Sequence, residues 1–385
     1  MKFEKPFIAL LFSTFFLTAA SSIIAPIESR FIQTLNADPA VIGFTLSIPS
    51  IVFIIISPLI GRLSVKYGLR KLTLYSIWFS VVIPIVYASS QNILQYMGAK
   101  LGYGLTAVVF GPIMYSILQY YISDRKESRG QLSGFYFSAQ AIGGSLASFM
   151  GGFIADSFFL AAPYYAMAVF TLLSALSMHF VDVKEKIEVP RYHKPFQLLR
   201  YLIKDKTVRF TFIFSSMASM HWGMRAVIFP LFIFSMTGAN FYTGLLYSSM
   251  GLLAMFTLPM AGHLLDKKGI RVSIYAIAVL AISSLLMAFS NNFLFFYLFS
   301  LLYVIGEAFN GTTLSYVDVS HLPEQIRKEL ISLRASLFAL VSFIAPFLAG
   351  LVLKYSSYQV VLLLFSSFFW ILLFYTLFLF GRGEL

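Results

Sequence analysis

Gly61-Arg62-Leu63-Ser64-Val65-Lys66-Tyr67-Gly68-Leu69-Arg70-Lys71 is a short basic stretch with two glycines, set between two long apolar runs. A second copy, Gly262-His263-Leu264-Leu265-Asp266-Lys267-Lys268-Gly269-Ile270-Arg271, has the same pattern, Gly-x-Leu-x-x-Lys-x-Gly-x-Arg. The copies begin 201 positions apart (262 − 61) in a chain of 385 residues, which reads as a duplicated half rather than a short-period solenoid. The first glycine of each copy lets two helices approach closely where they leave a membrane, and the second permits a turn with positive φ. The Lys and Arg residues hold the stretch in an anionic headgroup layer. An ordinary basic loop with turn glycines would account for one copy. It does not account for two at half-chain spacing.

The surrounding composition sets the solvent. Hydrophobic residues make up 59% of the chain, mean hydropathy is +0.82, and charged residues are 11%, against about a quarter in soluble domains. Apolar runs this long and this many define a polytopic helical membrane protein, with the lipid bilayer as its first partner. The net charge of +12 would suggest nucleic acid in a soluble chain. Here the basic residues fall in alternate loops, so no nucleic-acid partner is expected. The absence of Cys excludes disulfides, thiolate catalysis and Cys-ligated metal. Lys2 and Lys5 precede an apolar run that continues to Ile27. That is longer than the roughly 7–15 residues of a signal-peptide core, so it reads as the first span.

Twelve spans are expected, near 6–28, 40–60, 72–89, 94–122, 131–155, 159–181, 208–236, 241–261, 272–290, 293–317, 329–353 and 358–380. Of the 28 Lys and Arg residues, 24 fall on one side of this arrangement, the exceptions being Arg30, Lys100, Arg225 and Lys354. Both termini and the central loop are therefore expected to be cytoplasmic. Within the linker, Phe196–Lys204 carries apolar and basic residues at roughly helical spacing. This suits a helix on the inner leaflet, and equally a solvated linker.

The paired stretches resemble the signature of the major facilitator superfamily, which lies between the second and third helices and is echoed between the eighth and ninth. The usual form has an Asp four residues after the first glycine; here that position is Val65 in the first copy and Asp266 in the second. The resemblance covers nearly the whole chain. It implies an all-α membrane fold of twelve helices in two pseudo-symmetric six-helix bundles, residues 1–181 and 208–385, joined by a linker at 182–207. It also implies alternating access about a midplane site. Gly61, Gly68, Arg70, Gly262, Asp266, Gly269 and Arg271 then take part in gating, Asp266 by contact with the start of span five or with Arg129. Span five carries Gly143, Gly144, Ser145, Ala147, Ser148, Gly151 and Gly152, small residues that favour close helix contact. It is similar to the glycine-rich fifth helix of the family's exporters, without their Gly-Pro pair.

Spans one, four, seven and ten line the cavity in this family, and the charges inside this chain's spans fall largely on them. Glu28 ends span one, Lys100 is in span four, Arg225 in span seven and Glu307 in span ten. Charges at such depth are costly and pair with one another or with water, so mutual neutralisation is one role for all four and the leading one for Glu28. Glu307 shares a helix face with Asn310 and is the first candidate for exchanging a proton, with Lys100 and Arg225 as its expected cations and Glu28 as a second proton carrier. Lys100-Leu101-Gly102-Tyr103-Gly104 resembles the basic and glycine pattern of the family's fourth helix, with Lys in place of Arg. Met217, His221, Met224 and Arg225 fall on one face of span seven beside Trp222; a methionine stripe packs a core or forms an adaptable wall for ligands. Tyr115, Gln119 and Gln140 are further binding candidates.

No phosphate-loop, His-Glu-x-x-His or Gly-x-Ser-x-Gly pattern occurs, so ATP drive and the common hydrolase chemistries have no support, and neither enzyme activity nor a cofactor or metal is expected. The reading is a monomeric secondary transporter in the cell membrane. It moves a small-molecule substrate by alternating access coupled to protons, with export favoured. The alternatives are a uniporter or importer of an organic anion held by Lys100 and Arg225, and a transporter-like membrane sensor.

Overall fold

The computed structural model describes residues 4–123, 129–183, 204–320 and 324–381. Among them are helices and turns but no strand. Twelve helices have 17 residues or more and fall on the twelve expected spans: α1 (Lys5–Ile23), α3 (Pro39–Tyr67), α4 (Leu69–Ser89), α5 (Ile93–Ser123), α6 (Arg129–Ser157), α7 (Ala162–Met178), α8 (Lys206–Thr237), α9 (Phe241–Lys268), α10 (Val272–Ala288), α11 (Phe293–Ser320), α12 (Glu324–Tyr355) and α13 (Tyr358–Gly381). Two short elements remain among the described residues, a 3-10 turn at Gly269–Arg271 in the second signature stretch and a seven-residue helix, α2 (Glu28–Thr34), which corrects the first span. Glu28 does not end that span; α1 stops at Ile23 and the chain turns before α2 begins. Pro26 is the physical reason, because it lacks an N–H and its ring excludes the carbonyl four residues back.

Large apolar side chains lie open on the outer helix faces, Phe256 at 72% and Phe374 at 65% exposure among them. Hydrocarbon is the only solvent in which such a surface is stable. Helix ends, where backbone N–H groups lack partners, are capped locally. Asp38 accepts from Val41 N at 2.9 Å, while Asn92 and Asn292 accept from Gln95 N and Phe295 N at 3.0 Å each.

The described residues form two compact units, Met1–Val189 with Phe229–Leu252, and Pro190–Ile228 with Leu253–Leu385. Most of the expected linker, 184–203, lies outside the described residues. In the first unit α1 packs on α6 and α7, α3 on α5, and α4 on α5 and α7. In the second, α10 packs on α11 and α13, as α4 does on α5 and α7. The duplication extends to backbone detail. Asn36 (φ 60°) and Gly238 (φ 73°) precede α3 and α9, and Gly68 (φ 82°) and Gly269 (φ 66°) follow the same two helices.

Those two glycines are the turn residues of the signature stretches. The first glycines are expected to let two helices approach closely; at Gly262 this is not seen, since a Cβ added there would meet no described atom within 4 Å, and both α3 and α9 run past the expected span ends through Gly61 and Gly262. Each basic stretch is a helix end that one left-handed glycine terminates, and neighbouring Gly61 or Gly262 supplies no break. Arg70 anchors the first by donating to the His179 carbonyl at 2.7 Å, just past α7.

The small residues of α6 serve two faces. Added Cβ atoms at Gly143 and Gly151 would sit 2.6 Å from Phe15 O and 1.8 Å from Ile23 O, so α1 lies directly on α6. On the other face, Cβ atoms at Gly244 and Gly251 of α9 would collide with Ser148 O and Ser145 Oγ. Asp156 completes this contact. Its carboxylate accepts from Asn240 N (3.1 Å), Asn240 Nδ2 (2.7 Å) and Phe241 N (2.7 Å), capping α9 from a distant helix. Asp156→Ala is expected to lower the unfolding free energy by about 0.5–2 kcal/mol, with Asp156→Asn losing less. Thermal unfolding of the purified protein checks this; an unchanged midpoint for the Ala variant would mean that the cap carries no stability.

Candidate functional site

Among the described residues three acid–base pairs lie largely buried in the helices, one in the first unit and two in the second, where Arg334 of α12 donates to both carboxylate oxygens of Asp318 of α11 (2.7 and 2.5 Å). In the first unit Glu28, at the start of α2, pairs with Lys100 of α5. Tyr96 lies one turn before Lys100 on the same face and donates its hydroxyl to Glu28 Oε1 at 2.7 Å. The hydroxyls of Tyr96 and Tyr164 are 2.9 Å apart, and the Lys100 ammonium stands 5.7 and 5.6 Å from the ring centres of Tyr87 and Tyr103. Lys100 is 4% exposed, and Tyr87, Tyr96 and Tyr164 are fully buried. The Glu28 carboxylate and two aromatic rings replace water around the ammonium, while the Tyr96 hydroxyl holds the carboxylate.

In the second unit Arg225 of α8 faces Glu307 of α11, Nη1 to Oε2 at 3.4 Å. The guanidinium lies 4.4 Å from the ring centre of Trp222, which is exposed. One turn before Glu307 is Tyr303, fully buried, and His221 stacks on it with ring centres 4.0 Å apart and planes at 19°. The other carboxylate oxygen, Glu307 Oε1, is buried with no hydrogen-bond partner among the described residues, and so are Asn310 Oδ1 and the Tyr303 hydroxyl. Asn310 is one turn after Glu307, so these open polar atoms line a single strip of α11.

The expected cations of Glu307 were Lys100 and Arg225. Arg225 is there; Lys100 instead serves Glu28, because its face of α5 is the one Tyr96 turns toward α2. Met224 is buried and Met217 half-buried. Tyr115 and Gln119 lie on exposed positions of α5 and enter neither pair. Asp266 is exposed, and the side chain of its expected partner Arg129 lies outside the described residues. Sequence reasoning missed the tyrosines that complete both sites. A signal for two of them was present: Tyr96 stands four residues before Lys100 and Tyr303 four before Glu307.

Twelve long apolar helices in two related sets, each set holding an acid–base pair among its own helices, define a membrane transporter with an internally repeated fold rather than an enzyme. The chain belongs to the Major Facilitator Superfamily, whose model matches residues 10–325. It is 22% identical over 340 residues to an uncharacterized MFS-type transporter of Methanocaldococcus jannaschii, covering 86% of this chain and 87% of that one. It is 25% identical over 379 residues to the multidrug resistance protein MdtG of Dickeya zeae, covering 94% and 91%. Among solved structures, a mutant of the nucleoside transporter NupG superposes with a TM-score of 0.81 at 15% identity, covering 97% of this chain and 99% of that one. That likeness carries the fold.

Removing one partner of the first-unit pair leaves the other charge buried alone, so Lys100→Met is expected to destabilise by about 3–5 kcal/mol, and the Glu28→Gln, Lys100→Met double variant should recover most of the loss. Thermal unfolding of the two single variants, Lys100→Met and Glu28→Gln, and of the double variant measures it. Additive losses would show that the two side chains do not act as a pair.

Proposed function

We propose that the chain is a proton-coupled secondary transporter that exports a small solute by alternating access, with Glu307 as the proton carrier. The observation that carries this reading is the half-satisfied carboxylate in the second unit. Arg225 contacts one oxygen of Glu307 at 3.4 Å, and the other oxygen is buried without a partner among the described residues. A charged carboxylate in that position depends on the nearby cation. When helix movement separates the two, taking up a proton removes the isolated buried charge. Alternation between a paired, ionised state and a separated, protonated state is what couples a proton to solute movement. Export is supported by the multidrug-resistance relatives.

The anion-binding alternative is weakened by the same geometry. Both cations it requires, Lys100 and Arg225, already face carboxylates. The unit is read as a monomer in the cell membrane, with both termini and residues 182–207 cytoplasmic, on the strength of the Lys and Arg distribution.

Glu307→Gln keeps the shape of the side chain and cannot ionise. In proteoliposomes it is expected to abolish movement of solute against its gradient under an imposed pH difference while exchange down the gradient survives. Wild-type pH dependence in this variant would move the proton role elsewhere, first to Glu28. The topology has its own check in this Cys-free chain: Lys194→Cys should resist an impermeant thiol reagent added outside intact cells and react after permeabilisation. Ready labelling from outside would invert the orientation.

A further inference from the structure

The first unit contains a partly open cavity of about 240 Å³ lined by α1, α4, α5, α6 and α7; Tyr103, whose ring lies 5.6 Å from the Lys100 ammonium, is the residue it shares with the first-unit pair. It is many times the roughly 10–15 Å³ that a single buried water needs. Its polar lining comes from hydroxyls and one amide, Thr14, Ser80, Tyr103, Tyr136 and Gln140 among them, and Ala107, one turn after Tyr103, lines it as well. No Asp, Glu, Lys, Arg or His lines it.

Ser80 marks the cavity as more than a packing gap. Hydroxyls on helices in apolar surroundings commonly bond the carbonyl one turn back, as Ser47 does to Gly43, Thr73 to Leu69 and Thr171 to Met167. Ser80 makes no such bond. It is 4% exposed, and its Oγ has no partner among the described residues. A buried hydroxyl left open in this way costs free energy unless something fills the space beside it.

The duplication explains why the space exists. Asn92 and Asn292 cap α5 and α11 in the same way and lie 200 residues apart, which fixes the register of the two helices. In that register Tyr103 corresponds to Tyr303, and Ala107 to Glu307. Where the second unit places a carboxylate, the first places a methyl group next to the same tyrosine.

We propose that this cavity binds the transported solute, and that the solute is a neutral ring compound bearing hydroxyl or amide groups. No charged side chain lines the cavity, so an ion here would lose water without a direct counter-charge, which disfavours it against a neutral ligand. Hydroxyls and an amide both donate and accept, so they match a ligand that does the same. The Tyr103 and Tyr136 rings supply faces for a flat group. The assignment of the occupant as the transported solute rests on the transporter reading above; the neutral chemistry rests on the cavity alone.

The test is thermal stabilisation and equilibrium binding of the purified full chain with two neutral probes, phenyl β-D-glucoside and N-acetyltyrosinamide, beside benzoate and benzyltrimethylammonium. At least one neutral probe is expected to bind and the ions are not. Ala107→Phe, which fills the cavity, should weaken binding by at least about tenfold. Ser80→Ala keeps the volume and should weaken it about three- to tenfold, which keeps the test decisive if the Phe variant does not fold. Phe256→Ala, on an exposed face of the other unit, should bind as wild type. No binding of either neutral probe, tighter binding of an ion, or undiminished binding in both cavity variants would overturn the proposal. Binding that is lost in the cavity variants, with the probe neither transported nor competing with transport, would keep the site and remove its role in transport. Loss of pH dependence on Glu307→Gln is read separately, so failure of the proton reading and failure of the cavity are distinguishable.

Discussion

A polar group inside hydrocarbon has no water to fall back on, so every buried charge and every open backbone donor must be answered by another part of the chain. That constraint organises this protein. It makes the long segments helical throughout, and it puts Asp38, Asn92 and Asn292 at helix starts. It also draws Asp156 of α6 to the first N–H groups of α9, although 84 residues separate Asp156 from Asn240. It gathers Tyr96 and Lys100 around Glu28, and it sets Arg225 opposite Glu307.

Duplication supplies the scaffold, and divergence between the copies supplies the chemistry. Turn glycines, asparagine caps and the packing of α4 and α10 on their neighbours recur in both halves. Within the fourth and tenth spans the charged residues do not recur. Ser300 stands at the position equivalent to Lys100, and Ala107 at the position equivalent to Glu307. A gene duplication that preserves backbone-determining residues while exchanging the polar ones yields two units of like shape and different interior. One unit has an open, uncharged cavity; the other has a carboxylate beside the equivalent tyrosine.

Much of this was legible in the sequence, for reasons that can be stated. Spans follow from apolar length, which bilayer thickness fixes, so all twelve fell where hydropathy put them. The turn role of Gly68 and Gly269 followed from repetition of the pattern at half-chain distance, and their positive φ agrees with it. The helical course through Gly61 and Gly262 was not legible, because glycine permits a break without requiring one. Nor was the partner of Lys100. Helical spacing gives the face a residue occupies on its own helix, and it cannot say which neighbour that face meets. Pro26 could have placed Glu28 beyond the first helix, and the four-residue spacing of Tyr96 to Lys100 and Tyr303 to Glu307 could have named the missing tyrosines.

The Glu28–Lys100 and Arg225–Glu307 pairs differ in how completely each is satisfied. Glu28 accepts from Tyr96 as well as facing Lys100, and the ammonium is walled by aromatic rings, so separating that pair would break several interactions at once. Removing one partner of a largely buried pair costs about 3–5 kcal/mol, because the other charge is left uncompensated. Glu307 touches Arg225 at the long end of hydrogen-bond distance and keeps its second oxygen open, next to an open amide oxygen and an open hydroxyl. Its charge is therefore balanced by one cation on a different helix, and a small displacement of α8 relative to α11 would unbalance it. Rigidity in the first unit and incomplete satisfaction in the second are thus complementary. On the proposed reading, a solute site in the first unit gains from fixed walls, and a carboxylate that exchanges a proton needs surroundings that do not fully satisfy either of its forms.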